Sequence, residues 1–146
     1  MNARNEISYR LALADGFQRE AEEDFRLERW RSCVDNAQLA LENAGKAVLA
    51  LFGAPPKTHD PARELAALLR SRELPGSTRL ALQQLLPELL ALGPREHFLT
   101  DYGDEATYTL PWELFTRESA EGALTSSRRG TEIAREITAK PRQEPE

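Results

Sequence analysis

The chain has 146 residues, of which 40% are hydrophobic and 29% are charged, and its formal net charge is −5. This length fits one domain with one core, and no apolar run approaches the roughly 20 residues that cross a membrane, so we expect a cytoplasmic protein that has no leader peptide and no membrane contact. The single cysteine excludes an internal disulfide, and the acidic balance argues against charge-driven binding of double-stranded DNA.

The apolar spacing predicts two long helices at the start of the chain. The first runs from about Asn5 to Arg26, and we expect Gly16 inside it to mark a close contact with another helix. The second runs from about Glu28 to Phe52 and ends at Gly53. Steps of four and three residues place one apolar stripe along the second helix: Trp30, Val34, Ala37, Leu41, Ala44, Val48 and Leu51. The alanines of this stripe would let a partner helix approach closely.

Two shorter helices are predicted next. The third covers Thr58 to Arg72, with Asp60 as its N-cap and Pro61 at its first helical position. The fourth is rich in leucine and has Ser77 as a plausible N-cap. Because proline lacks an amide hydrogen, we expect Pro87 to kink this helix or to split it in two.

The second half of the chain has fewer regular features. No helical period is visible from Arg95 to Thr116, so we expect a long aromatic-rich loop that is held against the helices or a second subunit. A last helix follows from about Glu118 to Ile137, and residues 140–146 are expected to be disordered. The sequence therefore predicts one all-α domain over residues 1–139, an up-and-down bundle of four to five helices.

Sequence signatures of common catalytic sites are missing. The chain contains neither of the two glycine-rich patterns that bind phosphates, Gly-x-x-x-x-Gly-Lys-Ser/Thr and Gly-x-Gly-x-x-Gly. An all-α chain also lacks the strand that precedes such loops. His59 and His97 lie in different predicted loops, and no spacing places two metal ligands on one helix face, so we expect neither a metal nor another cofactor. Cys33 lies beside the apolar stripe, which favours a small buried side chain over a reactive thiol.

Polar residues on the second predicted helix are candidates for a ligand site. Four of them share one side of the helix at steps of three and four residues: Asp35, Gln38, Glu42 and Lys46. They form either a solvated face with one ion pair or the polar wall of a groove that faces another helix.

Arginines later in the chain offer a basic surface. Four of them are candidates for a basic rim: Arg95, Arg128, Arg129 and Arg135. Acidic residues lie among the arginines of the last helix, so we first expect a surface on which positive and negative charges balance. Combined with the aromatic stretch, a basic rim would instead stack on and pair with a nucleotide or single-stranded RNA.

The segment from Arg29 to Val48, RWRSCVDNAQLALENAGKAV, resembles the second helix of HEPN domains, in which a tryptophan precedes an Ala-Gln pair and then Glu-x-x-x-Lys-Ala. The segment from Pro55 to Asp60 resembles the Thr-His-Asp-Leu motif of that family, with Pro61 in place of the leucine. Two further segments are similar to prokaryotic members: His97 through Asp104 and Phe115 through Glu118. The resemblance covers about residues 5 to 138.

The resemblance implies a helical bundle that is commonly a homodimer. Such proteins are often encoded beside a minimal nucleotidyltransferase and pair with it, in some cases as toxin–antitoxin systems. The family name invokes nucleotide binding, and many members are metal-independent ribonucleases with an arginine followed four to six residues later by a histidine. This sequence departs from that pattern, because neither His59 nor His97 has an arginine at those offsets and Arg95 lies only two positions before His97.

The leading hypothesis is a non-catalytic HEPN-type interaction domain that forms a homodimer and pairs with a nucleotidyltransferase. The first alternative is a metal-independent ribonuclease in which folding or dimerisation brings Arg95 or Arg128 to His97. The second alternative is a nucleotide-binding module without turnover. The candidate ligand-binding residues are Gln38, Glu42, Lys46, Arg95, His97 and Tyr102.

Overall fold

A computed structural model describes residues 3–53, 58–71 and 73–139 of the chain. Within these ranges the chain forms helices and no strand, which confirms the predicted all-α fold. The helices are α1 (Ala3–Arg26), α2 (Trp30–Leu51), α3 (Pro61–Ser71), α4 (Gly76–Ala91), α5 (Pro94–Tyr102), α6 (Pro111–Leu114) and α7 (Arg117–Ala139). None of the described helices is long and apolar enough to span a bilayer. The predicted disordered tail, residues 140–146, lies outside the described residues.

Helix α2 is the central element of the bundle. It packs against each of the six other described helices, and most extensively against α1 and α7. The stripe predicted from the sequence faces these neighbours, since its members from Val34 to Val48 are all buried. Its two ends, Trp30 and Leu51, are partly buried and pack against the same core.

Small residues set how closely the neighbours approach α2. A Cβ atom built on Gly45 would lie only 2.8 Å from Cβ of Pro61, the first residue of α3. A Cβ atom on Gly130 of α7 would collide with the side chain of Leu41. The expectation for Gly16 is wrong, because a Cβ atom there would meet nothing within 4 Å. The close contacts therefore occur where α2 meets α3 and α7.

Helix α3 begins as the sequence predicts. The backbone amide of Arg63 donates a hydrogen bond to Asp60 Oδ1 at 3.4 Å, and Pro61 occupies the first helical position. This bond satisfies one of the amides that an α-helix leaves without an internal partner at its start.

Helix α4 differs from the prediction at two points. It begins at Gly76, so Ser77 lies inside the helix and Pro75 occupies the N-cap position. Pro87 does not split it, because the helix continues to Ala91. Pro87 lies on the exposed side, and buried leucines on both sides of it keep the two halves of the helix in the core: Leu82, Leu85 and Leu89.

The stretch from Arg95 to Thr116 is not one long loop. It contains most of α5, a turn closed by an antiparallel bridge between Asp104 and Thr109, and the single turn α6. Helix α5 shows no apolar period because Thr100 is its one buried residue. A capping interaction supports its start, since the Gly93 amide donates to Glu96 Oε2 at 3.0 Å.

Alanine substitutions at two glycines test the packing around α2. We expect Gly45→Ala to lower the free energy of unfolding by about 1–3 kcal/mol, because the rigid Pro61 ring must move away from the new methyl group. Gly16→Ala should raise it by about 1 kcal/mol, since alanine is the better helix former and the methyl group meets open space. Urea denaturation followed by circular dichroism measures both values. Two variants with equal midpoints would contradict the close contact at Gly45.

Candidate functional site

The candidate site lies where α5 packs against the polar side of α2. Thr100 is fully buried, and its hydroxyl oxygen lies 3.2 Å from Asp35 Oδ1 and 2.7 Å from the carbonyl oxygen of His97, so both acceptors share its one proton. The same carboxylate oxygen lies 3.4 Å from Nδ1 of His97, and Nε2 of that ring lies 3.8 Å from Asp101 Oδ2. The half-exposed imidazole is thus held between two carboxylates, one from each helix.

The predicted polar side of α2 faces other parts of the chain more than it faces solvent. Gln38 and Lys46 are buried, and Nζ of Lys46 lies 3.6 Å from Glu42 Oε2. The second oxygen of Glu42 lies 3.7 Å from Nδ1 of the exposed His59. Oε1 of Gln38 is buried without a hydrogen-bond partner among the described residues.

The structure separates the six candidate ligand-binding residues into two groups. Gln38, Glu42 and Lys46 lie along α2, whereas Arg95, His97 and Tyr102 lie on α5. Of the second group, His97 contacts α2 through Asp35. Tyr102 is exposed and its ring lies 5.0 Å from that of Phe98, measured between centroids. These contacts do not assemble the six residues into a single nucleotide site.

In the described part of the chain, no arginine forms an ion pair or hydrogen bond with His97. Arg95 lies two positions earlier on α5, and residues two apart on a helix do not face each other. Arg128 lies on α7, which does not pack against α5, and its guanidinium pairs with Glu22 of α1. The hydrogen bonds of this pair lower the pKa of the Glu22 carboxyl and raise the pKa of Arg128.

The arginines of α7 do not form a free basic rim. Besides the Arg128 pair, Nε of Arg129 lies 3.8 Å from Glu88 Oε2, and Arg135 pairs with Asp15. This side of the domain therefore has the balanced charge that was the first expectation.

Cys33 is a buried core residue, as predicted. It has no exposed surface, and this burial raises the pKa of its thiol to about 12. The thiolate is the nucleophilic form of cysteine, so Cys33 is inert near neutral pH. In the described ranges, no group of three or more histidine, cysteine or acidic side chains is arranged to hold a metal ion.

Large apolar side chains project into solvent from α5, α6 and the turn between them. We call this group the aromatic face: Phe98, Tyr102, Tyr108, Leu110 and Trp112. Their exposed fractions range from 51% to 92%, whereas Phe115, just after α6, is buried. Apart from Phe115, the aromatic residues after Arg95 are therefore not covered by helices of the same chain.

The HEPN domain model matches residues 7–137. The chain belongs to the HEPN domain family. The family resemblance first seen in the α2 segment is therefore confirmed over most of the chain. No curated protein matches the sequence.

Sequence reasoning missed two residues that join α2 to α5 in this HEPN domain. Nη1 of Arg31 donates to the carbonyl oxygen of Thr100 at 2.9 Å, and Thr100 is buried below it. The Arg31 guanidinium also lies 5.7 Å from the ring centroid of Trp112. One signal was present, since Arg31 precedes Asp35 by four residues and so extends the polar side of α2.

Thiol labelling tests the burial of Cys33. We expect the native HEPN domain to show less than a tenth of one reactive thiol toward Ellman's reagent at pH 8, because its pKa of about 12 leaves almost no thiolate there. The same protein in concentrated urea is the control and should show one reactive thiol per chain. Complete labelling of the native protein within minutes would contradict the buried position.

Proposed function

We propose that this HEPN domain is a non-catalytic, cytoplasmic interaction protein that forms a homodimer and pairs with a minimal nucleotidyltransferase in a toxin–antitoxin-like system. The observation that carries the proposal is the aromatic face. An isolated soluble domain rarely exposes many large apolar side chains together, whereas aromatic residues are enriched where proteins bind each other. Among the described residues the ionic contacts of His97 are with Asp35 and Asp101 and not with an arginine, which supports a role other than catalysis.

The size of the aromatic face suits a protein–protein interface. An aromatic side chain buries about 150–250 Å² when it is fully covered. The four aromatic residues and Leu110 therefore supply a large share of the roughly 800 Å² per partner that a stable interface covers. Helices α5 and α6 pack against each other, so both can contact one partner.

Multi-angle light scattering tests the homodimer. We expect the parent chain to have about twice the monomer mass of 16.4 kDa at micromolar concentration. Tyr102→Glu should weaken dimerisation at least tenfold, because it places a charge inside an apolar interface. Leu90→Glu is the matched control: Leu90 is equally exposed but lies on α4, so the dimer should persist.

Two results would contradict this part of the proposal. A parent chain that stays monomeric at tens of micromolar excludes the homodimer. A dimer that Tyr102→Glu leaves intact excludes the aromatic face as its interface.

The nucleotidyltransferase pairing rests on the family resemblance. The open reading frame beside this one should encode a small nucleotidyltransferase, and the two purified proteins should elute together in gel filtration. Separate elution of the two proteins would exclude the pairing.

A metal-independent ribonuclease is a second candidate function, and one observation favours it. His97 is half exposed, and Asp35, 3.4 Å from Nδ1, orients the ring as in many general bases. Because no described arginine pairs with His97, the guanidinium that stabilises a scissile phosphate would have to be brought to this ring by a rearrangement within the chain or by the second subunit of a dimer.

An RNA cleavage assay with EDTA present tests this candidate. If the protein is a ribonuclease, His97→Ala should slow cleavage by at least 100-fold, because proton transfer loses its imidazole. His59→Ala is the matched control and should retain full activity, since His59 lies outside α5 and is exposed. A parent protein that leaves RNA intact removes the candidate.

A further inference from the structure

A cavity of about 410 Å³ opens at the start of α2 and is separate from the contacts of His97. Its lining includes Trp30 and Arg31 of α2, Trp112 of α6 and Phe115. This volume falls within the range of pockets that hold small ligands or the anchoring side chain of a partner. The cavity shares Trp112 with the aromatic face.

Arg31 is a partly buried cation without a counterion in the described chain. Its Nη1 donates to the Thr100 carbonyl and its Nη2 lies 3.5 Å from Ser32 Oγ, and both of these acceptors are neutral. Its Nε is buried and has no hydrogen-bond partner. Other arginines do have a carboxylate within 4 Å: Arg10, Arg29, Arg117, Arg128, Arg129 and Arg135. Because a partly buried charge without a counterion is costly, an anion that reaches the Arg31 guanidinium from the cavity would be stabilised.

The surroundings of Arg31 favour a single negative charge over a polyanion. The lining also contains two other charged residues, and each is already paired: Glu28 with Arg117 at 2.9 Å and Arg29 with Asp24 at 3.9 Å. The chain as a whole carries a net charge of −5. Arg31 is the one charged residue of the lining without an opposite charge within 4 Å among the described residues, and a single carboxylate balances it, whereas a polyanion would bring more negative charge than this place balances. The indole rings of Trp30 and Trp112 offer apolar surface beside that charge.

We propose that this cavity binds an acidic side chain of a partner protein, in a segment where an apolar residue flanks the acid. The carboxylate pairs with Arg31, and the flanking side chain lies against Trp112. This inference rests on the proposed role as an interaction domain and gives the partner a chemical signature.

A peptide titration on the full chain tests the inference. The probes are two acetylated and amidated peptides, Gly-Leu-Phe-Glu-Leu-Gly and the same peptide with glutamine in place of glutamate. The chain contains two tryptophans, and both line the cavity, so both indole signals in a proton–nitrogen NMR spectrum report on binding. We expect the glutamate peptide to shift both signals to saturation with a millimolar dissociation constant, and the glutamine peptide to bind at least tenfold more weakly.

Variants locate the charge that the peptide recognises. Arg31→Gln should abolish the difference between the two peptides. Arg95→Gln is the matched control and should preserve that difference, because Arg95 is exposed on α5 and does not line the cavity. The comparison of the two peptides on the parent chain does not depend on how well either variant folds.

Several outcomes would overturn the inference. They are an absence of saturable shifts, equal binding of the two peptides, and tighter binding of AMP or pentauridylate than of the glutamate peptide. The light-scattering result is independent of all three. If the chain is a dimer and binds neither peptide, only this inference is excluded. If the chain is a monomer and binds the glutamate peptide, only the proposed dimer is excluded.

Discussion

The burial of α2 on all sides is the constraint on which the rest of this HEPN domain depends. The six other described helices pack against α2, and close approach is possible because six of its 22 residues are alanine or glycine. Gly45 shows how tight the fit is, since a methyl group there would reach into the ring of Pro61. A central helix made of large residues would hold its neighbours farther apart and leave voids between them.

The same burial decides what the polar residues of α2 do. A polar group that is removed from water must find a partner within the protein. Asp35 contacts Thr100 and His97 on α5. Lys46 forms an ion pair with Glu42, one turn away on the same helix. Helix α5 is therefore attached to the bundle by polar contacts of Thr100 and His97 with α2 as well as by Leu99, while its Phe98 and Tyr102 side chains face outward. The aromatic face follows from the way in which α5 is held.

Two features of functional interest meet at Trp112. The aromatic face ends there, and the cavity that contains Arg31 begins there. An interface is strongest where a buried arginine or tryptophan anchor is surrounded by residues that exclude water. Arg31 and Trp112 lie close enough to act together, since the guanidinium lies 5.7 Å from the ring centroid. The proposed binding surface would therefore have its centre where α5 and α6 meet the start of α2.

Local pattern in the sequence determined the long helices, the buried stripe of α2 and the burial of Cys33, because an apolar period reports directly which side of a helix faces a core. It also singled out Asp35 and His97, but as members of separate groups. Only the tertiary structure decided that these two residues meet, that Gly45 rather than Gly16 is the close contact, and that Arg31 reaches Thr100, 69 positions away. The sequence pattern did not reveal α5, because its one buried residue is the polar Thr100. A helix with one buried polar residue has no apolar period along the chain. Pairings between distant segments depend on how the helices are arranged in space, which the spacing of residues within one helix does not report.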